Sequence, residues 1–357
     1  MSFIKRLDLF KNKFSSMNLD GFYITNLTNV RYLTGFTGSA GSLLILENEQ
    51  YFFTDGRYIE QSKNQVKGCI IEITGSAHYN TIKSKKLLTN NMNIGFESDY
   101  VSVSLFKQLS NVLGDVHWQP TSGVVEKIAA IKDELEIQSL QTAIDITDEV
   151  FLQIIPDLKA GAVEKEIAAK ISYLFKMNGA EGDSYESIIG SGFLGALPHA
   201  RPSDKKFEKG DFVVMDFGAL YNGYHADMTR TVVIGEATTK HKEIYDIVLE
   251  SQLSGIKTAK AGITGSELDN ACRSVIKKAG YGDKFIHSTG HGIGLEVHTY
   301  PGINHLNKNP LLENYVVTIE PGIYLEGWGG VRIEDDCLIK ADHCIPMNHS
   351  TKEMLIL

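Results

Sequence analysis

Five side chains with metal-binding chemistry lie in short motifs along the second half of the chain. They are Asp216 in VVMDFG, Asp227 in GYHADMTRT, His291 in STGHGIG, Glu320 in VTIEPGIY and Glu334 in GVRIEDD. Four carboxylates and one imidazole form an oxygen-rich ligand set, which suits two divalent cations better than one structural zinc ion. Carboxylates gathered in one place repel each other unless cations neutralise their charge. We therefore predict a metal site built from these five residues.

Two strands joined by a tight turn should position the first two ligands. Residues 212–217 form an apolar run that is interrupted by one acid, and residues 228–234 form a second strand pattern. Between them lies Asn222-Gly223, a dipeptide that favours a two-residue hairpin turn. If the turn is at this dipeptide, Asp216 lies opposite Thr229.

The same hairpin register makes Asp227 the diagonal neighbour of Asp216 on one face. Diagonal pairs lie about 7–8 Å apart at the backbone, and metal ions in two-metal sites lie about 3.5–4 Å apart. Two aspartates reaching inward can therefore share a pair of ions. The alternative is that both are solvated turn residues. The metal site is favoured because an unpaired charge inside a buried run is unfavourable.

The two glutamates repeat this pattern, since VVTIEPGIY and VRIEDDCLI each resemble a strand that contains an acid. Pro321 favours an extended backbone at Glu320, and glycines 327, 329 and 330 indicate a loop between the two strands. The adjacent Asp335 and Asp336 leave open the alternative that Glu334 belongs to a solvated acidic turn. The presence of the other four ligands favours the metal site.

The whole chain resembles the aminopeptidase P and prolidase branch of the metallopeptidases with the pita-bread fold. In the second half the resemblance is carried by ALPHARPSD, VVMDFG, YNGYHADMTRT, STGHGIGLEVH, TIEPGIY and GGVRIEDD. In the first half it is carried by NVRYLTGFTGSAG and TDGRYIEQ. The resemblance implies two divalent metal ions, above all Mn²⁺, with Co²⁺ or Zn²⁺ as alternatives. Such ions lower the pKa of bound water and polarise the scissile carbonyl.

The resemblance also implies roles for residues around the metals. Glu320 is expected to shuttle a proton from the nucleophile to the leaving nitrogen. His199 and His298 are expected to line the cleft and stabilise the oxyanion, although His199 could also be an ordinary loop histidine. Arg332 should point to the same side of its strand as Glu334, where it could hold a carboxylate or bind substrate. His287 and Tyr324 match family positions near the substrate.

The distribution of apolar residues predicts two domains. Residues 1–128 mix short apolar runs with helical patterns, which indicates a smaller α/β domain. Residues 129–357 alternate helices with ligand-bearing strand pairs, which indicates an α+β catalytic domain. The resemblance implies that this domain has the pita-bread fold and that the first domain is of the creatinase type. We expect helices over about 129–156, 163–178 and 240–260, and a further helix that begins at Thr264 with a capping box completed by Glu267.

Composition restricts the partners. The chain has 357 residues and a formal net charge of −9, which argues against a nucleic-acid partner. No segment approaches the length of a membrane span, and early charged residues argue against a signal peptide. The four cysteines form no CxxC pair. We therefore expect reduced thiols and a cytoplasmic location.

The family implies hydrolysis of the Xaa-Pro bond in short peptides. Some prolidases carry an arginine four residues after the histidine that matches His298, but this chain has Gly302 there. That departure favours an aminopeptidase P-like enzyme, with a strict Xaa-Pro dipeptidase as the alternative. A metal-free creatinase-like hydrolase and a catalytically silent binding module are disfavoured because all five ligands are present.

The resemblance also bears on the oligomer. We expect a homodimer in which the first domain narrows access to the partner's active site. The alternative is that this domain only stabilises the chain.

Overall fold

The computed structural model describes all residues, 1–357, and the chain divides into two compact units, Met1–Ala129 and Ala130–Leu357. The first unit is an α/β domain around one six-stranded sheet with the order β4-β3-β2-β1-β5-β6. Its strands are β1 Gly21–Ile24, β2 Ser42–Leu46, β3 Gln50–Thr54, β4 Ile70–Ile73, β5 Asn93–Glu97 and β6 His117–Thr121. Its helices are α1 Phe3–Lys11, α2 Phe14–Met17, α3 Leu27–Thr34, α4 Ile59–Gln65, α5 His78–Ser84, α6 Val103–Val112 and α7 Val124–Ala129.

The second unit contains four long helices and thirteen short strands. The helices are α8 Glu134–Ile154, α9 Glu164–Met177, α10 Thr239–Thr258 and α11 Gly265–Lys278. The strands before α10 are β7 Gly182–Asp183, β8 Ile188–Ser191, β9 Phe212–Phe217, β10 Ala219–Tyr221, β11 Tyr224–His225 and β12 Met228–Val233. The strands after α11 are β13 Gly290–Gly292, β14 Thr299–Ile303, β15 Val316–Ile319, β16 Gly322–Leu325, β17 Gly329–Arg332, β18 Asp335–Ile339 and β19 Cys344–Pro346.

Three apolar cores hold the second unit together, and the two larger ones each join a pair of helices to a sheet. In one core, α8 and α9 pack on the sheet β12-β9-β8 through residues such as Phe151, Phe175 and Phe217. In the other, α10 and α11 pack on the sheet β14-β13-β15-β18-β19 through residues such as Tyr245 and Leu268. No helix combines the length and the hydrophobicity that a membrane span requires.

The helix boundaries follow from capping chemistry. The expected helix over 129–156 begins only at Glu134, because Asp133 caps it and forms a capping box with Glu136. The capping box between Thr264 and Glu267 is present as predicted, and it starts α11. The two remaining helices lie within two residues of their predicted bounds.

Candidate active site

One cavity of about 510 Å³ in the second unit brings the predicted site residues together. Its lining includes Asp216, Asp227, His291, Glu320, Glu334, His199, His298, His287 and Arg332. Tyr324 is the one predicted residue outside this lining. Its hydroxyl nevertheless contacts the site through His287 and Arg332, at 2.8 Å from a nitrogen of each.

The hairpin of the first two ligands has the predicted register. Asp216 in β9 pairs with Thr229 in β12, and the turn at Asn222-Gly223 has positive φ at both residues, 48° and 72°, as a type I′ turn requires. Asp227 lies just before β12, so it reaches the cavity from the strand that neighbours Asp216. The Asp216 side chain accepts hydrogen bonds from Tyr185 and Arg332.

The two glutamates lie at strand ends, not inside strands as the sequence suggested. Glu320 directly follows β15, and Glu334 lies between β17 and β18. At Glu320 the chain leaves the five-stranded sheet for the two-stranded sheet β16-β17, and at Glu334 it returns. Pro321 has no N–H group for a continued ladder. The direction of both carboxylates is therefore not set by the alternation of side chains between the two faces of one continuous strand.

Atoms of the candidate metal ligands lie close together. Oxygen or nitrogen atoms of Asp227, His291 and Glu334 lie within 4.8 Å of one another. His291 Nε2 is 3.6 Å from Asp227 Oδ2 and 3.5 Å from Glu320 Oε1. Since the other ring nitrogen, Nδ1, lies 3.1 Å from the carbonyl oxygen of Gly292, it carries the proton and leaves the lone pair of Nε2 directed at these carboxylates, where it is suited to a metal ion.

The electrostatics of the site favour bound cations. Burial and the charges of Asp216, Asp336 and Glu320 raise the pKa of Asp227 well above its ordinary value. Burial and neighbouring carboxylates do the same to the pKa of Glu334. Burial raises the pKa of Glu320 to about 8, against the lowering effect of Arg332. Each shift reflects the unfavourable free energy of crowding anions away from water, which divalent cations would remove.

The histidines around the ligands are suited to act as neutral groups. Burial lowers the pKa of His291 to about 4 and, together with the charge of Arg332, lowers the pKa of His287 to about 4. Burial also lowers the pKa of His298, whose ring lies 4.3 Å from that of His291 between centroids.

A hydrogen-bond chain runs through the predicted substrate residues. Arg332 Nη1 donates to the Tyr324 hydroxyl at 2.8 Å. The Tyr324 hydroxyl lies 2.8 Å from His287 Nε2, while His287 Nδ1 lies 2.7 Å from the Ser288 carbonyl oxygen and therefore carries the proton. The tyrosine hydroxyl thus donates to His287, and the orientation of that ring depends on Arg332.

Two residues of the site have no recognisable motif in the sequence. The Tyr185 hydroxyl lies within hydrogen-bonding distance of both Asp216 and Asp227, 2.5 Å from the latter, so the two carboxylates share its single proton. Asp336 accepts from the backbone N–H of Asp227 at 3.0 Å. Tyr185 lies in the segment GDSYES, which matches no metal or catalytic motif, and Asp336 belongs to the acidic run that follows Glu334. No spacing rule connects either residue with Asp227.

The residues present fit divalent cations. The Oε1 atom of Glu334 is buried and has no hydrogen-bond partner, while Oε2 accepts from Thr229 at 2.6 Å. A carboxylate oxygen left without a donor among other carboxylates is suited to a metal ion. The oxygen-rich set with one imidazole suits Mn²⁺, Co²⁺ or Zn²⁺.

The fold and the site define a metallopeptidase. The chain belongs to metallopeptidase family M24, whose model matches residues 138–341, and the model of the creatinase/prolidase N-terminal domain matches residues 6–131. These matches confirm the expected family, the pita-bread catalytic domain and its creatinase-type first domain. They also make the chain an enzyme of a class that uses divalent metal ions.

Named relatives cover the whole chain. It is 38% identical to a Xaa-Pro dipeptidase of Pyrococcus furiosus, over 98% of this chain and 99% of the relative. A solved Xaa-Pro dipeptidase from Bacillus anthracis superposes with a TM-score of 0.97 at 40% identity, over 100% of both chains. A solved X-Pro aminopeptidase from Thermotoga maritima has a TM-score of 0.89 at 41% identity, over 95% of this chain and 98% of that one.

Proposed function

We propose that this chain is a metal-dependent Xaa-Pro dipeptidase of the prolidase type that acts on short proline-containing peptides. The observation that carries the proposal is the single cavity in which three close ligands, Asp227, His291 and Glu334, meet the catalytic candidates. The relatives named Xaa-Pro dipeptidase favour this activity over the aminopeptidase P-like activity that the sequence suggested. The X-Pro aminopeptidase relative keeps aminopeptidase activity as the alternative.

In this proposal Asp216, Asp227, His291, Glu320 and Glu334 hold two divalent ions, Mn²⁺ first among them. Ions bound there would polarise the scissile carbonyl and make water a nucleophile near neutral pH. Glu320 takes the proton from that water and passes it to the leaving nitrogen.

The surrounding residues have supporting roles. His298 and His199 line the cavity and donate hydrogen bonds to the oxygen of the scissile carbonyl as negative charge develops on it. His287, Tyr324 and Arg332 form the hydrogen-bond chain that shapes the substrate side of the cavity. Because an Xaa-Pro bond has no N–H group, the carbonyl is the part of that bond which the chain can recognise by hydrogen bonding.

A direct assay tests the activity. Manganese-loaded protein should hydrolyse Xaa-Pro dipeptides with a higher kcat/KM than the matching Xaa-Pro-Yaa tripeptides. A preference for tripeptides would instead support the aminopeptidase. A folded, metal-loaded protein that is inactive on both would support the catalytically silent binding module.

The metal ligands have their own test. Asp227→Asn should abolish hydrolysis and reduce bound manganese, measured by elemental analysis of dialysed protein. The matched control is Asp246→Asn, because Asp246 is exposed on α10 and outside the cavity lining. Full metal content in Asp227→Asn would remove Asp227 from the ligand set.

The proposal includes two further expectations from the sequence, a homodimer and a cytoplasmic location. The location is expected from the four cysteines, which form no CxxC pair. Light scattering at micromolar concentration tests the dimer, and a monomer under those conditions would contradict it.

A further inference from the structure

The cavity has two permanently charged cations in its lining. Among its lining residues Arg201 and Arg332 are the arginines, and there is no lysine. Histidines also line it, but imidazoles lose their proton near neutral pH, whereas a guanidinium stays protonated. A negatively charged end of a substrate that entered this cavity would therefore meet one of these two arginines.

Arg332 donates its hydrogen bonds to other groups of the protein. Its Nε donates to Thr229 at 2.9 Å, its Nη1 donates to the Pro198 carbonyl at 3.1 Å and to Tyr324 at 2.8 Å, and its Nη2 donates to Asp216. Its side chain is only 3% exposed. Reorienting it toward a substrate would leave buried partners without donors, which is unfavourable.

Arg201 is available. Its side chain is 66% exposed, and its one partner is Glu186, whose side chain is 67% exposed and which also lines the cavity. Only Nη1 of Arg201 makes that contact, so Nε and Nη2 remain free to donate. Exposed ion pairs contribute little to stability, so exchanging or sharing the carboxylate partner requires little free energy. A guanidinium binds a carboxylate through two parallel hydrogen bonds.

We propose that Arg201 binds the free C-terminal carboxylate of the substrate and thereby selects dipeptides. This inference rests on the proposed Xaa-Pro dipeptidase function. In an Xaa-Pro dipeptide the proline nitrogen belongs to the scissile amide and carries no N–H group. The carboxylate is therefore the only charged group on that side of the scissile bond. One extended residue spans roughly 3.3–3.6 Å, which keeps this carboxylate within the cavity. Gly302, which also lines the cavity, has no side chain that could take this role.

A longer peptide would have an uncharged amide where a dipeptide has its carboxylate. Arg201 would then lose the ion pair, and the exposed guanidinium would return to Glu186. The proposal therefore predicts that dipeptides and longer peptides differ mainly in KM. The reason is that the carboxylate contact is made equally in the bound substrate and in the transition state.

The experiment compares Ala-Pro with its amide, Ala-prolinamide, on the manganese-loaded protein. In Arg201→Ala the KM for Ala-Pro should rise roughly 10- to 100-fold, the effect of losing a charge-assisted hydrogen bond, while kcat changes little. The KM for the amide should stay the same. Arg201→Lys should fall between the wild type and Arg201→Ala, because an ammonium keeps the charge but not the paired geometry. Equal losses on both compounds, or an unchanged KM for Ala-Pro, would overturn the proposal.

The matched control is Lys165→Ala. Lys165 forms an exposed ion pair with Asp204 at 3.1 Å and does not line the cavity, so both KM values should match those of the wild type. A wild-type protein that cleaves neither compound would contradict the dipeptidase itself. Calorimetry then still tests Arg201: wild-type protein should bind free proline more tightly than Arg201→Ala does, with no such difference for prolinamide. Equal proline binding would reject the role of Arg201.

Discussion

Tyr185 shows how much of the site depends on a residue without a motif. Its hydroxyl contacts Asp216 and Asp227 but carries a single proton, so the two carboxylates share one donor. Burial and the neighbouring negative charges raise the pKa of Tyr185 well above its ordinary value. The hydroxyl therefore stays protonated and holds the two aspartates at a common point.

The first prediction concerns this shared donor. Tyr185→Phe should keep the fold and weaken manganese binding by roughly 10- to 100-fold, the usual effect of removing a hydrogen bond from a metal ligand. The loss should be reduced at high manganese concentration, where activity is recovered. Metal titration followed by calorimetry measures it. Unchanged affinity would mean that the aspartates hold their positions without the tyrosine.

The second prediction concerns His298, which lines the cavity and contacts the ring of His291. His298→Ala should lower kcat by roughly 10²–10³-fold with metal still bound, because an oxyanion donor is lost. Stopped assays and elemental analysis on the same preparation separate the two effects. A rate loss that is explained by lost metal would make His298 a support of the ligands instead.

At the residue scale, the sequence predicted contacts that follow directly from the position of a turn. The Asn222-Gly223 turn determines which residue pairs with Asp216, and the structure has that pairing. Tyr185 could not be found in this way. It reaches Asp227 across 42 residues of sequence, and only the packing of the folded unit brings the two together.

At the level of elements, three of the five candidate ligands lie where the chain changes sheets, whereas Asp216 and His291 lie inside β9 and β13. Asp227 separates β11 from β12, and Glu320 and Glu334 bound the excursion through β16 and β17. The sequence placed both glutamates inside strands, because an apolar run does not indicate which sheet each half joins. A side chain at such a crossing is not held to the alternation of one sheet. Several sheets can therefore direct carboxylates into one cavity.

Arg230 connects two of the places where the chain changes sheets, the start of β12 and the segment around Glu334. It donates from Nη2 to Asp335 at 2.7 Å, with the two side chains 2% and 0% exposed. Its Nη1 donates to the carbonyl oxygens of Thr229 and Glu334. The residue thus joins β12 to the segment that carries Glu334.

The third prediction follows from this contact. Arg230→Met should destabilise the second unit by about 3 kcal/mol, because it leaves a buried carboxylate with fewer partners, and should also weaken manganese binding through Glu334. Thermal unfolding and metal titration measure the two effects. Lys165→Met, which removes an exposed ion pair, should change neither. Normal metal affinity in a destabilised Arg230→Met would limit Arg230 to a structural role.

At the level of the whole molecule, a net charge of −9 includes carboxyl groups that the fold buries together. Burial and neighbouring charges raise the pKa values of Asp227, Glu334 and Asp336 well above their ordinary range, and raise that of Glu320 to about 8. The family could be predicted from the sequence. The degree of this crowding could not, because it depends on distances that only the folded chain sets.

The fourth prediction is that the stability of the metal-free protein depends on pH and that bound metal reduces this dependence. A carboxyl group whose folded pKa lies above its unfolded value stabilises the fold fully below that unfolded value, and this contribution is lost as pH rises through the folded pKa. For Glu320 the window runs from its ordinary 4.5 to about 8. The Tm of metal-free protein should therefore fall between pH 5.5 and pH 8 by this mechanism. The Tm of manganese-loaded protein should fall much less, since metal replaces the protons.

The quantity to measure is the difference between the Tm of manganese-loaded protein and the Tm of metal-free protein at each pH. Groups that titrate in the same way in both forms contribute equally to both values and cancel in this difference. Calorimetric scans of dialysed and manganese-loaded protein should show a gap that widens as pH rises. Metal-free Asp227→Asn has lost one of the crowded acids, so its Tm should fall less steeply with pH than that of the wild type, whereas Asp246→Asn should follow the wild type. A gap that stays constant across this range would mean that the carboxylates bind no ion in competition with protons, and would remove the electrostatic basis of the proposed site.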